Sequence, residues 1–170
     1  MIRLNHHDGT WEKFLNEWSD LCREFDEDFG SYMPYNLLTL AEQCEVCVSD
    51  QSSGVFAYKD ADGKHAAVCF MNSTFLPKFS GRVLRVRHLV LAPNYDLGEY
   101  SADHYAEVLS RVVGSVLEVS NESLPAAHVK FHFRSPADVN VFREFAPILN
   151  ETKHFKTVKM QGSWLTITKN

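Results

Sequence analysis

No run of apolar residues in this 170-residue sequence approaches the roughly 20 residues that a membrane-spanning helix requires. The stretch from Met1 to Gly9 also lacks the hydrophobic segment of a secretory signal. We therefore expect a cytoplasmic protein with no membrane partner. With 45% hydrophobic residues the chain can bury one substantial core, and its length is short for two ordinary domains. Residues 1–170 are predicted to form a single domain.

Cysteine is scarce as well, with four residues in the chain. In a sequence without a secretory signal this number does not indicate a disulfide framework, so the thiols are predicted to be reduced. Cys44 and Cys47 have the spacing of half a zinc motif, but Cys22 and Cys69 stand alone and do not supply a second pair of ligands. We expect no metal.

Positive charge is scarce in the first third of the chain. Residues 1–50 hold eleven acidic and three basic side chains, a net charge of −8, whereas residues 51–170 carry a net charge of +3. The N-terminal third is therefore predicted to form an acidic surface. Because phosphate binding depends on clustered Lys and Arg, this surface disfavours nucleic acid, and no nucleic-acid partner is expected.

Helical spacing is clearest after Thr10, where apolar residues recur at i, i+3, i+4 and i+7. They are Trp11, Phe14, Leu15, Trp18, Leu21, Cys22 and Phe25. The acidic run Asp26–Asp28 and Gly30 are predicted to end this helix. Pro34 is predicted to open a second helix, which carries Leu37, Leu38, Leu40, Ala41 and Cys44.

After Ser52-Ser53-Gly54 the pattern changes to short runs typical of strands, with a hairpin-turn signal at Asp60-Ala61-Asp62-Gly63. The predicted elements are strands Val55–Tyr58, His65–Met71, Arg82–Leu91 and His128–Phe133, helices Ser101–Val119 and Pro136–Leu149, and a hairpin over Phe155–Thr168. With a short strand at Ile2–Leu4, the order is β-α-α-β-β-β-α-β-α-β-β. Hairpins followed by strand–helix–strand units predict an α/β or α+β domain in which helices cover a mixed sheet.

The stretch from Val83 to Val119 indicates a more specific fold within the α/β and α+β classes. An apolar strand ending in Leu91-Ala92-Pro93-Asn94-Tyr95 leads into a loop and a long amphipathic helix. This L-x-P-x-Y ending, and the order of elements along essentially the whole chain, resemble the GCN5-related N-acetyltransferase (GNAT) superfamily. The resemblance implies an acyl-CoA N-acyltransferase-like fold, with a central mixed, mostly antiparallel sheet flanked by helices. It also implies an N-acyltransferase that moves an acyl group from acetyl-CoA or another acyl-CoA to an amine.

In that superfamily a bulge in the strand holds the thioester carbonyl, and the resemblance places this bulge at Leu89, Val90 and Leu91. The next loop has the pattern Q/R-x-x-G-x-G/A, whose small residues admit the pyrophosphate to backbone N–H groups at the helix N-terminus. Here the loop is Asp96-Leu97-Gly98-Glu99-Tyr100-Ser101, with one glycine out of register and Asp96 replacing the Arg or Gln. The further cofactor contacts implied are Gly98, Tyr100, Ser101 and Arg134.

The same loop has a second interpretation. Asp96, Glu99 and Asp103 place negative charge where a polyanionic cofactor would sit. Each carboxylate within ~4 Å of a phosphate opposes binding by about 1 kcal/mol in water. The alternative is that Ser101 caps the long helix while Asp103 complements its dipole.

Nearby arginines also have two interpretations. Arg82, Arg85 and Arg87 lie on one predicted strand and Arg134 follows the next, so they could hold an anionic ligand near the strand ends. Alternatively, Arg85 and Arg87 share one face of their strand by period-two alternation. A partly exposed edge of that strand would then explain both residues without a ligand.

Acyl transfer needs a base for the acceptor amine and an acid for the departing thiolate. His88 occupies roughly the position of the superfamily's carboxylate base, and an ordinary imidazole pKa of about 6.5 suits that role, although a histidine in an apolar strand is often structural. The usual tyrosine acid is replaced by Phe142 and Phe145. Tyr100 and Tyr105 are the alternative acids, and both are as easily interpreted as packing residues.

The first two helices line the acceptor pocket in this superfamily. Asp26, Glu27 and Asp28 would then favour a cationic amine or a lysine-bearing peptide as acceptor. A short acidic run is also typical of a solvated helix end.

Two other functions stay open. One is a non-catalytic protein of this fold that binds a protein or a small ligand in the altered groove. The other is an interaction protein that forms a homodimer. The second is suggested by twelve Phe, six Tyr and three Trp, because aromatic residues are enriched at interfaces, although they could equally fill the core.

Overall fold

The computed structural model describes residues 1–33, 39–44, 50–98 and 100–170. The strands in these ranges form one sheet in the order β1-β2-β3-β4-β5-β7-β6. They are β1 (Ile2–Leu4), β2 (Ser53–Lys59), β3 (His65–Phe75), β4 (Arg82–Leu91), β5 (His128–His132), β6 (Phe155–Gln161) and β7 (Trp164–Lys169). Of the neighbouring pairs, β4 and β5 run parallel and the other five pairs are antiparallel.

Helices flank this sheet on both faces. They are α1 (Thr10–Glu24), α2 (Phe29–Tyr32), α3 (residues 39–44), α4 (Pro93–Leu97), α5 (Ala102–Val119) and α6 (Pro136–Glu151). The predicted second helix is present at residues 39–44, and residues 34–38 of that prediction lie outside the described residues. The predicted class, a mixed and mostly antiparallel sheet flanked by helices, is confirmed.

Two short helices, α2 and α4, are additions to the predicted order. Periodicity did not detect them because four or five residues are too few to show a helical repeat. Strand β3 also extends to Phe75, beyond the predicted end at Met71. Its last residues pair with the start of β4, and this backbone pairing does not depend on apolar side chains.

One face of the sheet, here called the α5 face, is covered by α5 and α6. The buried residues of α5 recur every three or four positions and are Val108, Leu109, Val112, Val113, Val116 and Val119. Leu84 and Val86 of β4 and Val129 and Phe131 of β5 belong to the same core cluster. This cluster fixes the register of β4 and β5, because a slip of one residue would turn these side chains to the opposite face.

The opposite face, here called the α1 face, is covered by α1 where β1, β2 and β3 lie. Trp11, Phe14 and Trp18 are buried in a cluster with Val55 and Ala57 of β2. The indole Nε1 of Trp18 donates a hydrogen bond of 2.6 Å to the backbone oxygen of His65. This contact ties α1 to the start of β3.

Strand β4 is central, with β3 on one side and β5 on the other. The interpretation of Arg85 and Arg87 as residues of an exposed edge is therefore wrong. They do share one face, as the alternation predicts, because they pair with Asn72 and Phe70 of β3.

None of the helices within the described ranges is long and apolar enough to cross a membrane. Within the same ranges, no group of three or more His, Cys, Asp or Glu side chains could hold a metal ion. Cys22, Cys44 and Cys69 are buried, and Cys47 lies outside the described residues.

Candidate functional site

Strand β4 contains a bulge at His88. Phe70 of β3 pairs with Arg87 and Val68 pairs with Val90, so β4 has one residue more than β3 between these two pairs. His88 adopts a left-handed conformation with φ of 54°, which is uncommon for a residue other than glycine. The bulge that the resemblance implied is thus present, and it begins one residue before the predicted Leu89.

The imidazole of His88 lies in a positively charged environment. Burial lowers its pKa, and the charges of Arg134 and Arg87 lower it further. The ring is therefore neutral at pH 7, which is the protonation state that a general base needs. The catalytic role of His88 stays a prediction.

The last residue of β4 has a partner from α2. The hydroxyl of Tyr32 lies 3.0 Å from the backbone oxygen of Leu91 and 2.9 Å from Oδ2 of Asp96. Burial, followed by the charge of Asp96, raises the pKa of Tyr32, so the phenol is a proton donor at neutral pH. Burial also raises the pKa of Asp96. Asp96, which stands where the superfamily has Arg or Gln, thus connects α4 to α2.

The segment before α5 is closed by its own hydrogen bonds. Oγ of Ser101 accepts from the backbone N–H of His104 at 3.2 Å, and Asp103 lies in the first turn of α5. The N–H of Gly98 donates to the backbone oxygen of Asn94 at 3.0 Å, and a Cβ at Gly98 would clash with that same oxygen. The turn itself therefore requires this glycine, and Ser101 is a helix cap as its second interpretation proposed.

Tyr105 of α5 has a carboxyl partner on α6. Its hydroxyl donates to Oδ1 of Asp138 at 2.7 Å, and Asp138 is 6% exposed. Burial raises the pKa of Asp138 to about 6, and the charge of Asp96 acts in the same direction. Burial and Asp138 raise the pKa of Tyr105. We call Tyr32, Asp96, Tyr105 and Asp138 the tyrosine–aspartate cluster.

This arrangement does not fit the phosphates of an acyl-CoA. The N–H of His104 in the first turn of α5 is used by Ser101, and Asp96 and Asp138 place two carboxyl groups close enough to interact. A carboxylate near a phosphate opposes binding by about 1 kcal/mol in water and by several in a drier site. Arg134 is exposed, two residues beyond β5. The predicted cofactor contacts stay predictions, and Glu99 lies outside the described residues.

A separate cavity of about 800 Å³ lies between α1, the β2–β3 turn and the start of α5. This volume is in the range of about 300–1,000 Å³ that is typical of small-molecule sites. Its lining comprises Lys13, Glu17, Asp20, Leu21, Glu24, Tyr58, Asp60, Ala61, Asp62, Lys64, His65, Ala66, Ala92, Asn94, Tyr95, Tyr100, His104, Glu107, Val108 and Arg111.

The lining of this cavity is acidic. Six carboxylates face three Lys or Arg side chains. One of the three cations, Arg111, already forms an ion pair of 2.7 Å with Glu107. The surplus of negative charge favours a cationic ligand.

An aromatic wall forms one side of the cavity. The rings of Tyr100 and His104 are stacked, with 4.7 Å between their centroids. Tyr95 lies 5.3 Å from Tyr100 and 5.8 Å from His104. Because aromatic faces attract cations, this wall and the carboxylates favour the same class of ligand.

Two buried polar atoms of the lining, His65 Nε2 and Asn94 Oδ1, have no hydrogen-bond partner among the described residues. Glu17 accepts from the backbone N–H of His65 at 2.6 Å, and its other oxygen lies 3.0 Å from Nδ1. A carboxylate only accepts, so Nδ1 carries the proton and Nε2 keeps an open lone pair. Burial lowers the pKa of His65, and the ring is neutral at pH 7. Both atoms are thus buried acceptors of residues that line the cavity.

The predicted acceptor residues Asp26, Glu27 and Asp28 are exposed and do not line this cavity. Oδ2 of Asp28 accepts from the backbone N–H of Ser31 at 2.8 Å, which caps α2. The predicted acids are also separated, since Tyr100 lines the cavity whereas Tyr105 bonds to Asp138. Their catalytic roles stay predictions.

Sequence reasoning missed His65, Glu17 and Asn94. His65 was assigned only as the first residue of a strand, and Glu17 lies on the polar side of α1. The two residues are 48 positions apart and meet because α1 packs across the start of β3. Local periodicity predicts each element but not this contact, so the sequence held no direct signal for the site.

Two solved structures resemble the chain over nearly its whole length. One is a putative acetyltransferase from Exiguobacterium sp. 255-15, at 15% identity and a TM-score of 0.40, with 98% of this chain and 91% of that chain covered. The other is an acetyltransferase of the GNAT family from Staphylococcus aureus Mu50, at 10% identity and a TM-score of 0.42, with 98% and 96% covered. No protein-family model and no curated protein matches the chain.

The observed architecture agrees with the fold expected from the sequence. Its element order, its mixed and mostly antiparallel sheet and the bulge in β4 are the features that the resemblance in the sequence implied. Likeness at these identities and TM-scores does not define the chemistry of the site, which depends on the residues of this chain.

Proposed function

We propose that this protein binds an organic cation with N–H donors, such as a primary amine or a guanidinium compound, in the cavity beside α1. The protein then has an acetyltransferase-like fold, and its function is to bind a ligand and not to transfer an acyl group. The observation that carries this proposal is the acidic lining of the cavity, in which six carboxylates outnumber three Lys or Arg side chains. Two of the lining residues, His65 and Asn94, also hold buried acceptors, Nε2 and Oδ1, without a partner among the described residues. A buried acceptor without a partner is costly, and a ligand that donates a hydrogen bond removes that cost.

The other features of the cavity agree with this ligand class. Carboxylates from α1 and from the β2–β3 turn supply long-range attraction for a positive charge. The ring wall of Tyr95, Tyr100 and His104 offers apolar and cation–π contact for the stem of the ligand. An anion would meet the opposite conditions in every part of the lining except near Lys13, Lys64 and Arg111.

The test is isothermal titration calorimetry at low ionic strength with putrescine, spermidine and agmatine, and with 1,4-butanediol as the neutral control. We expect binding of the three cations and none of the diol. Replacing Glu24 and Asp62 with Gln and Asn should weaken binding roughly three- to tenfold, because two attractive charges are lost. The Asn94→Leu variant removes one unpartnered acceptor and should weaken it by roughly the same factor.

A matched control is the double variant Asp26→Asn/Glu27→Gln. It removes the same charge from exposed residues outside the cavity, so binding should change little. If this variant loses binding while Glu24→Gln/Asp62→Asn keeps it, the acceptor residues predicted from the sequence are the correct ones. If the diol and the amines behave alike, the proposal is wrong.

N-acyl transfer is a second candidate function, favoured by the bulge at His88 and by its neutral imidazole. In that case the bulge would polarise the thioester carbonyl by backbone hydrogen bonds, and the amine in the cavity would be the acceptor. The tyrosine–aspartate cluster and the capped α5 terminus argue against the cofactor that this reaction needs.

Titration with acetyl-CoA and CoA separates the two functions. We expect no binding by the native protein and a gain in the Asp96→Arg variant, because that substitution replaces a negative charge with a positive one at the loop. Micromolar binding by the native protein would instead make acyl transfer the leading function. Cationic amines would then be the first acceptors to assay.

A further inference from the structure

On the α1 face of the sheet, several cationic residues lie at paired positions of neighbouring strands. Asn72 pairs with Arg85, Arg85 with Lys130, Lys130 with Thr166, and Thr166 with Lys159. Arg87 lies two residues further along β4, on the same face. These positions alternate with the buried residues of the α5 face, so their side chains belong to the side that α5 and α6 do not cover. We call Arg85, Arg87, Lys130 and Lys159 the basic face.

No carboxylate among the described residues forms an ion pair with the basic face. Arg85 and Lys130 are direct neighbours in the parallel pair, which brings two like charges together. Lys130 Nζ is held instead by aromatic rings, at 4.5 Å from the ring centre of Trp164 and 5.6 Å from that of Phe79. Arg85, Arg87 and Lys130 are half-buried on the central strands β4 and β5, and Lys159 is exposed on the edge strand β6. This concentration of positive charge without a carboxylate partner favours an anionic partner.

The ring of Trp164 is unsuited to stacking on a nucleic-acid base. One neighbour is Lys130, and His132 lies 4.4 Å from it between ring centroids. These contacts favour a carboxylate partner over a nucleic acid.

We infer that the basic face binds the acidic turn, residues Asp26–Asp28, of a second copy of this chain. The turn follows α1, which packs on the same side of the sheet as the basic face. Asp26 and Glu27 are exposed and form no ion pair with the described residues. Each copy therefore carries both halves of the contact on one side, and a two-fold axis pairs each turn with the partner's basic face.

The basic face is smaller than a standard protein–protein interface. The basic face runs across four strands, β4, β5, β7 and β6, and at a spacing of ~4.8 Å per strand its area is on the order of 300 Å². A standard interface buries ~800 Å² on each partner, and one basic face alone falls short of it. A two-fold dimer uses the basic face and the acidic turn of each copy at once, and its stability depends strongly on salt.

The experiment is sedimentation velocity over a hundredfold range of protein concentration, at low ionic strength and again in strong salt. We expect a dimer at low ionic strength that dissociates in salt. Two charge-reversed variants, Arg87→Glu/Lys159→Glu and Asp26→Lys/Glu27→Lys, should each remain monomeric. An equimolar mixture of the two should form a heterodimer, because the native acidic turn of the first variant attracts the native basic face of the second. Thermal unfolding of each variant shows that it is folded.

The matched control is Arg143→Glu/Lys153→Glu, which makes the same change in charge on exposed residues outside the basic face and should dimerise as the native chain does. The inference is overturned if the native protein stays monomeric at low ionic strength. It is also overturned if a dimer survives in both reversed variants. Retention of a labelled single-stranded oligonucleotide by the monomeric native protein, lost in Arg87→Glu/Lys159→Glu, would assign the basic face to nucleic acid instead.

Discussion

The tyrosine–aspartate cluster and the acidic cavity both include residues of α4, but their polar groups differ in hydrogen bonding. In the cluster, Asp96 and Asp138 each accept from a tyrosine hydroxyl. In the cavity, His65 Nε2 and Asn94 Oδ1 have no partner among the described residues. Polar groups that bond to one another contribute to stability, whereas unpaired buried acceptors mark the cavity as the candidate ligand site.

Substitutions in the two regions should therefore have different effects. Changes in the cluster should alter the free energy of unfolding and leave cation binding intact. Changes at exposed charges of the cavity, such as Glu24 and Asp62, should alter affinity and leave the free energy of unfolding within about 0.5 kcal/mol. A variant that reverses this assignment would break the comparison.

The largest expected effect is at Asp138. Its pKa is raised from 3.8 to about 6, so the folded chain binds this proton more tightly than the unfolded chain. The free energy of unfolding should therefore fall as pH rises from about 4 to about 6 and stay lower above that window. Asp138→Asn should raise it by about 2–3 kcal/mol at pH 8 and have little effect at pH 4.

Urea unfolding of both proteins across this pH range measures the effect. Asn keeps an acceptor for the hydroxyl of Tyr105, so the variant isolates the charge from the hydrogen bond. A parallel pH dependence in the two proteins would show that Asp138 titrates as it does in the unfolded chain.

Gly98→Ala should lower the free energy of unfolding by about 2 kcal/mol, because the added Cβ clashes with the backbone oxygen of Asn94. The same shift displaces Asn94, so cation binding should weaken as well. Gly114→Ala in α5 is the control, since a Cβ added there would meet no atom within 4 Å beyond the backbone of its own helix, and a helical alanine is favoured. That variant should gain about 0.5–1 kcal/mol. Equal effects at the two glycines would contradict the crowding at Gly98.

Tyr32→Phe should lower the free energy of unfolding by about 1 kcal/mol, because the single O–H donor that Leu91 O and Asp96 Oδ2 share is lost. Tyr100→Phe is its matched control, since the hydroxyl of Tyr100 has only a contact of 3.4 Å with Asn94 Nδ2. Denaturant unfolding of the two variants measures the difference. An equal decrease in the free energy of unfolding of the two variants would mean that the hydroxyl of Tyr32 is no more stabilising than that of Tyr100.

The smallest effect is spectroscopic and concerns His65. Burial lowers its pKa, so its ring should remain neutral, with the proton on Nδ1, at pH values where an ordinary histidine begins to titrate. Long-range proton–nitrogen correlation spectra report the tautomer directly. A midpoint at or above the ordinary value of about 6.5 would show that Nε2 is not the open acceptor of the cavity.

Much of the fold followed from local patterns. The apolar strand-like run Arg82–Leu91 predicted β4 with the observed bounds, and the helical spacing of apolar residues predicted α5 to within one residue of its start. Ser101 was correctly considered as a cap because an N-cap residue acts on the N–H groups two or three positions later. Each of these features depends on residues that are close in sequence.

The sequence by itself determined the order of the elements, the faces of the central strands and the acidic character of the first third of the chain. Tertiary structure decided which side chains meet: Tyr32 with Asp96 across 64 positions, Tyr105 with Asp138 across 33, and His65 with Glu17 across 48. It also made β4 a central strand, so Arg85 and Arg87 are half-buried cations rather than edge residues. The physical reason is that period and propensity act over one or two turns, whereas a site is formed by packing between elements that local patterns do not bring together.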